Sequence, residues 1–276
     1  MFYQLIELFS YSFLQKALIV GTLISLCSAL LGVSLVLKRY SMIGDGLSHI
    51  AFGALALSSA LNATPMLFSV PVVIFSAIIL LRISRNGKFK GDSAIAVIAT
   101  SSLAIGVFIV SKSGSNTDLS NYLFGSILSI STFDTYLCII LSVVVILLFC
   151  LFYHKIFAVT FDEAFAKATG IHVSFLNTLI AILTALTIVV GMRLMSTLLI
   201  SSLIIFSPVS AMRICKTFKG VIILSALLSV LNFFLGITYS YLFSAPTGAT
   251  IVIISLVTLI VCSIIGKITA KIKKDR

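Results

Sequence analysis

Apolar runs of about 20 residues, parted by short polar or basic interruptions, repeat along nearly the whole chain. A helix that crosses a bilayer needs about 20 mostly apolar residues, so each run reads as a candidate span. The pattern predicts nine, at 16–37, 42–62, 65–83, 93–112, 134–153, 174–192, 196–212, 220–243 and 247–266. Eight remain if one run is re-entrant. The expected fold class is all-α, a polytopic integral membrane protein with eight to nine transmembrane helices. Residues 1–13, with Tyr3, Leu5, Ile6, Leu8 and Phe9, predict a short interfacial helix lying along the membrane. Met1 to Leu14 has no basic n-region and carries Glu7, so no secretory leader is expected and the chain reads as mature. Residues 14–266 are expected to form a single transmembrane domain, and 267–276 a basic cytoplasmic tail.

The interruptions alternate in charge. Lys38 and Arg39 follow the first span, Arg82, Arg85, Lys88 and Lys90 the third, and Lys155 and Lys167 the fifth. Arg213, Lys216 and Lys219 follow the seventh, and Lys267, Lys271, Lys273, Lys274 and Arg276 close the chain. The intervening loops 62–65, 113–133 and 244–247 hold no Lys or Arg, and only Lys112 and Arg193 fall on that side. Basic loops stay cytoplasmic, which places the N-terminus outside and the C-terminus inside. Two loops exceed a simple turn. Residues 113–133 contain YLFGSIL, an apolar stretch too short to cross, which predicts a re-entrant or interfacial half-helix on the outer face. Within 154–173, Asp162 can cap a two-turn amphipathic helix over EAFAKAT that Gly170 ends.

Composition agrees with the pattern. The chain of 276 residues is 60% hydrophobic and 10% charged, against about 25% charged in a soluble domain. Its mean hydropathy is +1.23. The formal charge of +11 sits in short loops between apolar runs, with no basic surface interleaved with aromatics, so nucleic acid is not an expected partner. Cys27, Cys138, Cys150, Cys215 and Cys262 are widely spaced and form no CxxC. Four of them fall in apolar runs, where a thiol acts as a small hydrophobe.

The chemistry lies in what the spans do not contain. Of eight acidic residues only Asp45 lies within an apolar run, Asp92 and Asp134 sitting at span ends, and of three histidines only His49 does. They are four residues apart, on one helix face. A charge inside a bilayer costs about 3 kcal/mol even on lenient insertion scales and usually marks a pathway. A carboxylate and an imidazole on adjacent turns can reach one cation. That donor set suits Zn²⁺ or Mn²⁺ and lacks the thiolates that favour Cu(I). The plainer reading is a pair that satisfies itself in a packed core. Gly44, Gly46 and Gly53 permit close helix approach and put this helix inside the bundle. The pair cannot complete a metal site alone. Water, a second subunit or a hydroxyl such as that of Ser48 would supply the rest. There is no HExxH, GxSxG or GxxxxGK[ST], so the chain is expected to be no enzyme and to carry no P-loop of its own.

Four collinear segments are SMIGDGLSHIAFGALAL (41–57), NTDLSNYLFGSIL (116–128), VTFDEAFAKATGI (159–171) and STLLISSLIIFSPVSA (196–211). Through them, from about Leu14 to Gly266, the chain resembles the permease subunits of bacterial ABC importers for zinc, manganese or iron. The resemblance implies a type II importer-like fold in the bacterial plasma membrane. It also implies a homodimer around a central path, cytoplasmic ATP-binding subunits and an extracytoplasmic metal-binding protein. No permanently bound cofactor is expected, and Zn²⁺, Mn²⁺ or Fe²⁺ is transported. In such permeases the Asp and His of a GDxxSH motif line the path, and they match Asp45 and His49 here. The stretches implied to touch the ATPase match Phe161, Asp162, Glu163, Ala164, Phe165, Ala166, Lys167 and Gly170, and, after Pro208, Arg213 and Lys216. The chain departs from the family in Phe52-Gly53, where a Pro-Gly pair is common, and in Ser207 before Pro208. A proton-coupled secondary carrier using Asp45, or a non-transporting scaffold, are the alternatives.

Overall fold

In a bilayer the backbone has no water to bond, so an apolar run must pair its own N–H and C=O groups, and a helix does so within one segment. The computed structural model describes residues 12–85, 91–112 and 132–274. Among them are eleven helices and no strand: α1 Ser12–Leu37, α2 Ser41–Ala60, α3 Pro65–Arg85, α4 Gly91–Lys112, α5 Thr132–Leu151, α6 Tyr153–Phe161, α7 Glu163–Ala168, α8 Val173–Leu194, α9 Thr197–Ile214, α10 Phe218–Phe243 and α11 Thr247–Lys274. Hydroxyls enter the apolar interior by donating to carbonyls one turn back. Thr184 reaches Ile180 O at 2.7 Å, Thr187 reaches Leu183 O at 2.8 Å and Ser255 reaches Ile251 O at 2.8 Å.

Among the described residues seven helices, α1, α3, α4, α8, α9, α10 and α11, are long and apolar enough to cross a membrane. An eighth span results if α5 and α6, bent by 70° about Phe152, are one broken span. By this measure the expected nine is slightly high, and the shortfall is α2. Gly44, Asp45, Gly46, Ser48, His49 and Gly53 dilute its hydropathy, although twelve of its residues are buried. Two boundaries also differ from expectation. The helix of the fifth run stops at Leu151, and α6 occupies part of what reads as loop. The last helix continues through the basic tail to Lys274, because no Pro or Gly stops it there and lysine is a good helix former. The interfacial helix expected over 1–13 lies, apart from Ser12 and Phe13, outside the described residues. So does the half-helix expected in 113–133, apart from Thr132 and Phe133.

Lipid is as apolar as leucine, so spans associate through close packing rather than through a hydrophobic driving force. The main core joins Ile43, Leu47 and Phe52 of α2 to Leu80 of α3, Ile95 of α4, Ile188 of α8 and Ile200 of α9. A second core holds Val20 of α1, Leu203 of α9, Phe233 of α10 and Ile251 of α11. α2 and α4 touch at backbone distance: a Cβ on Gly53 would stand 2.7 Å from Ser102 O. Asn232 of α10 accepts from Thr258 of α11 at 2.8 Å, a polar tie between two spans. Ile140, Leu147, Ile253 and Ile260 are more than half exposed, as side chains facing lipid tails are. All five cysteines are free.

Candidate functional site

Both residues singled out by their scarcity sit on α2. Between Ile43 and Ser58 only Asp45, His49, Gly53 and Leu57 are not buried. Asp45 and His49, one turn apart, form a half-open stripe on an otherwise enclosed helix, whereas Gly53 farther along packs against Ser102 of α4. The stripe exists because the other faces of α2 are committed. Ile43, Leu47, Ile50 and Phe52 enter the main core, and a Cβ on Gly46 would lie 2.7 Å from Ile95 Cγ2.

His49 Nε2 lies 3.7 Å from Asp45 Oδ2, with the side chains 24% and 37% exposed respectively. That is too long for a good hydrogen bond, so the pair does not simply satisfy itself. Donors 3.7 Å apart, each about 2.1 Å from one ion, subtend about 120° at it, within the reach of a distorted tetrahedral site. His49 Nδ1 is buried and makes no hydrogen bond. Ser48 is not a third donor. It is fully buried, and its hydroxyl donates to Asp45 O at 2.7 Å. Among the described residues no three His, Cys, Asp or Glu side chains converge on a common metal position.

The second predicted group lies at the Lys38 end of the bundle. Asp162 caps α7, its Oδ1 accepting from the N–H groups of Ala164 and Phe165, both at 2.9 Å. Ala166 is fully buried in a small cluster with Val159, Val173 and Leu176. Phe161 and Phe165 are 60% and 63% exposed, an unusual state for aromatics beside a packed helix. Gly170 ends the segment with φ +81°, the left-handed conformation expected just past a helix. A groove of about 900 Å³ runs alongside, lined by Ala164, Lys167, Gly170, His172 and Phe175 among others.

The structure unites this segment with the other predicted stretch. Phe218, 6% exposed, packs against Tyr153, Phe157 and Phe161 of α6 with ring centroids 5.7, 5.2 and 5.8 Å away. Arg213 and Lys216, just before Phe218 in sequence, are exposed. The residues 161–170 and 213–216 therefore flank one aromatic cluster.

Sequence reasoning missed two components. One is α6, whose three aromatics recur every fourth residue without a Pro or Gly to mark its start. The other is an ion pair: Lys38 Nζ bonds Glu163 Oε1 at 2.8 Å and also Asn177 Oδ1, while Asn177 Nδ2 donates to Glu163 Oε1 at 2.9 Å. Lys38 reads in sequence as one more headgroup-facing cation, yet its side chain is only 6% exposed.

Comparison with known proteins extends the picture. A family described as the ABC 3 transport family matches residues 10–266. The chain is 31% identical over 254 residues to the manganese import system permease protein ScaB of Streptococcus gordonii, covering 92% of this chain and 91% of that one. It is 30% identical over 246 residues to the high-affinity zinc uptake system membrane protein ZnuB of Haemophilus influenzae, covering 89% and 94%. Its fold matches the solved structure of PsaBC from Streptococcus pneumoniae in complex with Fab, with a TM-score of 0.85 at 29% identity over 95% of each chain.

Proposed function

The chain belongs to the ABC 3 transport family, and on that premise we propose that it is the membrane-spanning permease subunit of an ATP-driven importer of a divalent transition-metal ion. The observation that carries this is the half-open stripe on α2, where an otherwise buried helix leaves Asp45 and His49 accessible 3.7 Å apart. The relatives named for manganese and for zinc support that class of cargo. The donor pair suits either ion and discriminates weakly between them.

The ion enters from outside, handed over by an extracytoplasmic binding protein. It rests between the Asp45 carboxylate and the His49 imidazole, and leaves toward the cytoplasm. Two donors do not fill a coordination shell. Water and the same stripe of a second copy, facing across the path, supply the remainder. An incomplete site on each subunit favours passage, since an ion held too tightly does not leave.

The chain has no P-loop, so separate ATP-binding subunits supply the energy. They dock on the face that carries Phe161, Phe165, Lys167, Arg213 and Lys216, which combines exposed aromatics with basic charge. Basic loops gather at this end, and the positive-inside tendency places it in the cytoplasm.

Metal uptake by cells carrying Asp45→Ala or His49→Ala tests the path. Losing a direct ligand should cost at least as much as losing an outer partner of one, about 10- to 100-fold. Wild-type uptake by both variants at normal membrane levels would remove Asp45 and His49 from the path.

A further inference from the structure

Lys38 stands one residue past α1, and two residues before Tyr40, which opens α2. The turn between the helices is fixed by its own backbone. Lys38 N–H donates to Ser34 O at 3.1 Å, Arg39 N–H to Val36 O at 3.0 Å and Tyr40 N–H to Leu35 O at 2.8 Å. Ile43 N–H in turn donates to Tyr40 O at 3.0 Å, tying the turn to the first turn of α2. Arg39 adopts φ +60°, the left-handed conformation that lets the chain reverse so tightly. A force on Lys38 is therefore delivered to the start of α2, and Asp45 lies only four residues beyond that helix's first residue.

The Lys38 ammonium is held by Glu163, the first residue of α7, at 2.8 Å. Asn177 of α8 closes the triangle by bonding both partners. Lys38 and Asn177 are almost entirely buried, and Glu163 is partly open. A buried ammonium is costly unless it is paired and hydrogen-bonded. A connector that only links two spans has no need of one. The pair also joins positions 125 residues apart in sequence, so it connects the ATPase-facing helix to the turn that opens the ion-path helix.

We propose that Lys38, Glu163 and Asn177 form a positioning triad that transmits displacement of α7 to α2, and so couples ATP hydrolysis to movement of the stripe bearing Asp45 and His49. The triad touches no ion. It sets where α2 stands when α7 moves. The proposal rests on the function given above.

The test is made with the purified importer, this chain with its ATP-binding subunits, in proteoliposomes. Metal uptake and ATP hydrolysis are measured together for wild type, Lys38→Met, Asn177→Leu and the reversed pair Lys38→Glu with Glu163→Lys. Lys38→Met and Asn177→Leu are expected to hydrolyse ATP while ions moved per ATP fall about tenfold, the size of a typical coupling between sites. The reversed pair is expected to recover a large part of that ratio. An unchanged ratio in both single variants overturns the proposal. So does a Lys38→Met complex that sheds its ATP-binding subunits, because the triad would then be a folding clamp. A wild-type complex that hydrolyses ATP and moves no metal would instead refute the functional reading, so the two failures are distinct.

Discussion

Gly32 of α1 lies directly against the Ile204 carbonyl of α9: a Cβ built on Gly32 would stand 2.2 Å from that oxygen. The oxygen is available because Pro208, four residues on, has no N–H to give it. A glycine on one helix and a proline on the other thus make one feature. The proline releases a carbonyl, and the glycine lets a Cα–H approach it. The Pro208 segment, with its Ser207 variant, stays within one helix from Thr197 to Ile214.

Gly32→Ala should accordingly push α1 from α9. The clashing atom is backbone and cannot rotate away, so the cost should reach or exceed the roughly 1–3 kcal/mol of ordinary overpacking. Thermal unfolding of the purified chain in detergent reports it as a lowered Tm. An unchanged Tm would mean that the two helices are not this close.

Much of this was legible because the signals are local or rare. Asp162 and Gly170 bracket α7 within nine residues. Asp45 and His49 stand out because every other acid and histidine lies at the end of an apolar run or outside one. What escaped was non-local or unmarked. The partners Lys38 and Glu163, like Gly32 and Ile204, come from distant segments, and periodicity carries no information about which faces meet. The 70° bend at Phe152 falls inside a continuous apolar run with neither Pro nor Gly, so no residue there announces a break. The polarity that singles out α2 as the candidate site also keeps it below the hydropathy of the other spans.

Ser48 and His49 are neighbours in sequence with opposite expected behaviour. The Ser48 hydroxyl is buried and bonded to Asp45 O at 2.7 Å, so Ser48→Ala removes one intrahelical hydrogen bond, worth about 1 kcal/mol. Metal uptake by Ser48→Ala should stay near wild type while His49→Ala loses it. A Ser48→Ala variant as impaired as His49→Ala would make the hydroxyl a ligand after all.

Asp162 acts as a helix cap through its acceptor oxygen. Asp162→Ala should fray α7, at about 1 kcal/mol, whereas Asp162→Asn keeps an acceptor in place and is itself a good cap. ATP-driven uptake should therefore fall in the alanine variant and persist in the asparagine variant, with little change in the Tm of the bundle. Equal loss in both would assign the role to the negative charge rather than to the cap.

Phe218 ties α10 to α6. Its ring is buried at 6% exposure and meets three aromatics of α6, the farthest centroid 5.8 Å away. Truncating a buried phenylalanine costs about 3–5 kcal/mol where the site cannot collapse. Here Phe157 and Phe161 are themselves partly exposed and can close over the gap, so Phe218→Ala should fall near the lower bound. The consequence should be local. α6 would be released from the start of α10, separating residues 161–170 from Arg213 and Lys216, while the cores around Leu47 and Phe233 remain intact. Hydrogen exchange should then quicken in 153–170 and 213–220 and remain slow in the middle of α2 and α9. Phe218→Tyr, which keeps the ring, should leave all of these segments protected. Uniformly faster exchange across the chain would show instead that Phe218 supports the whole bundle.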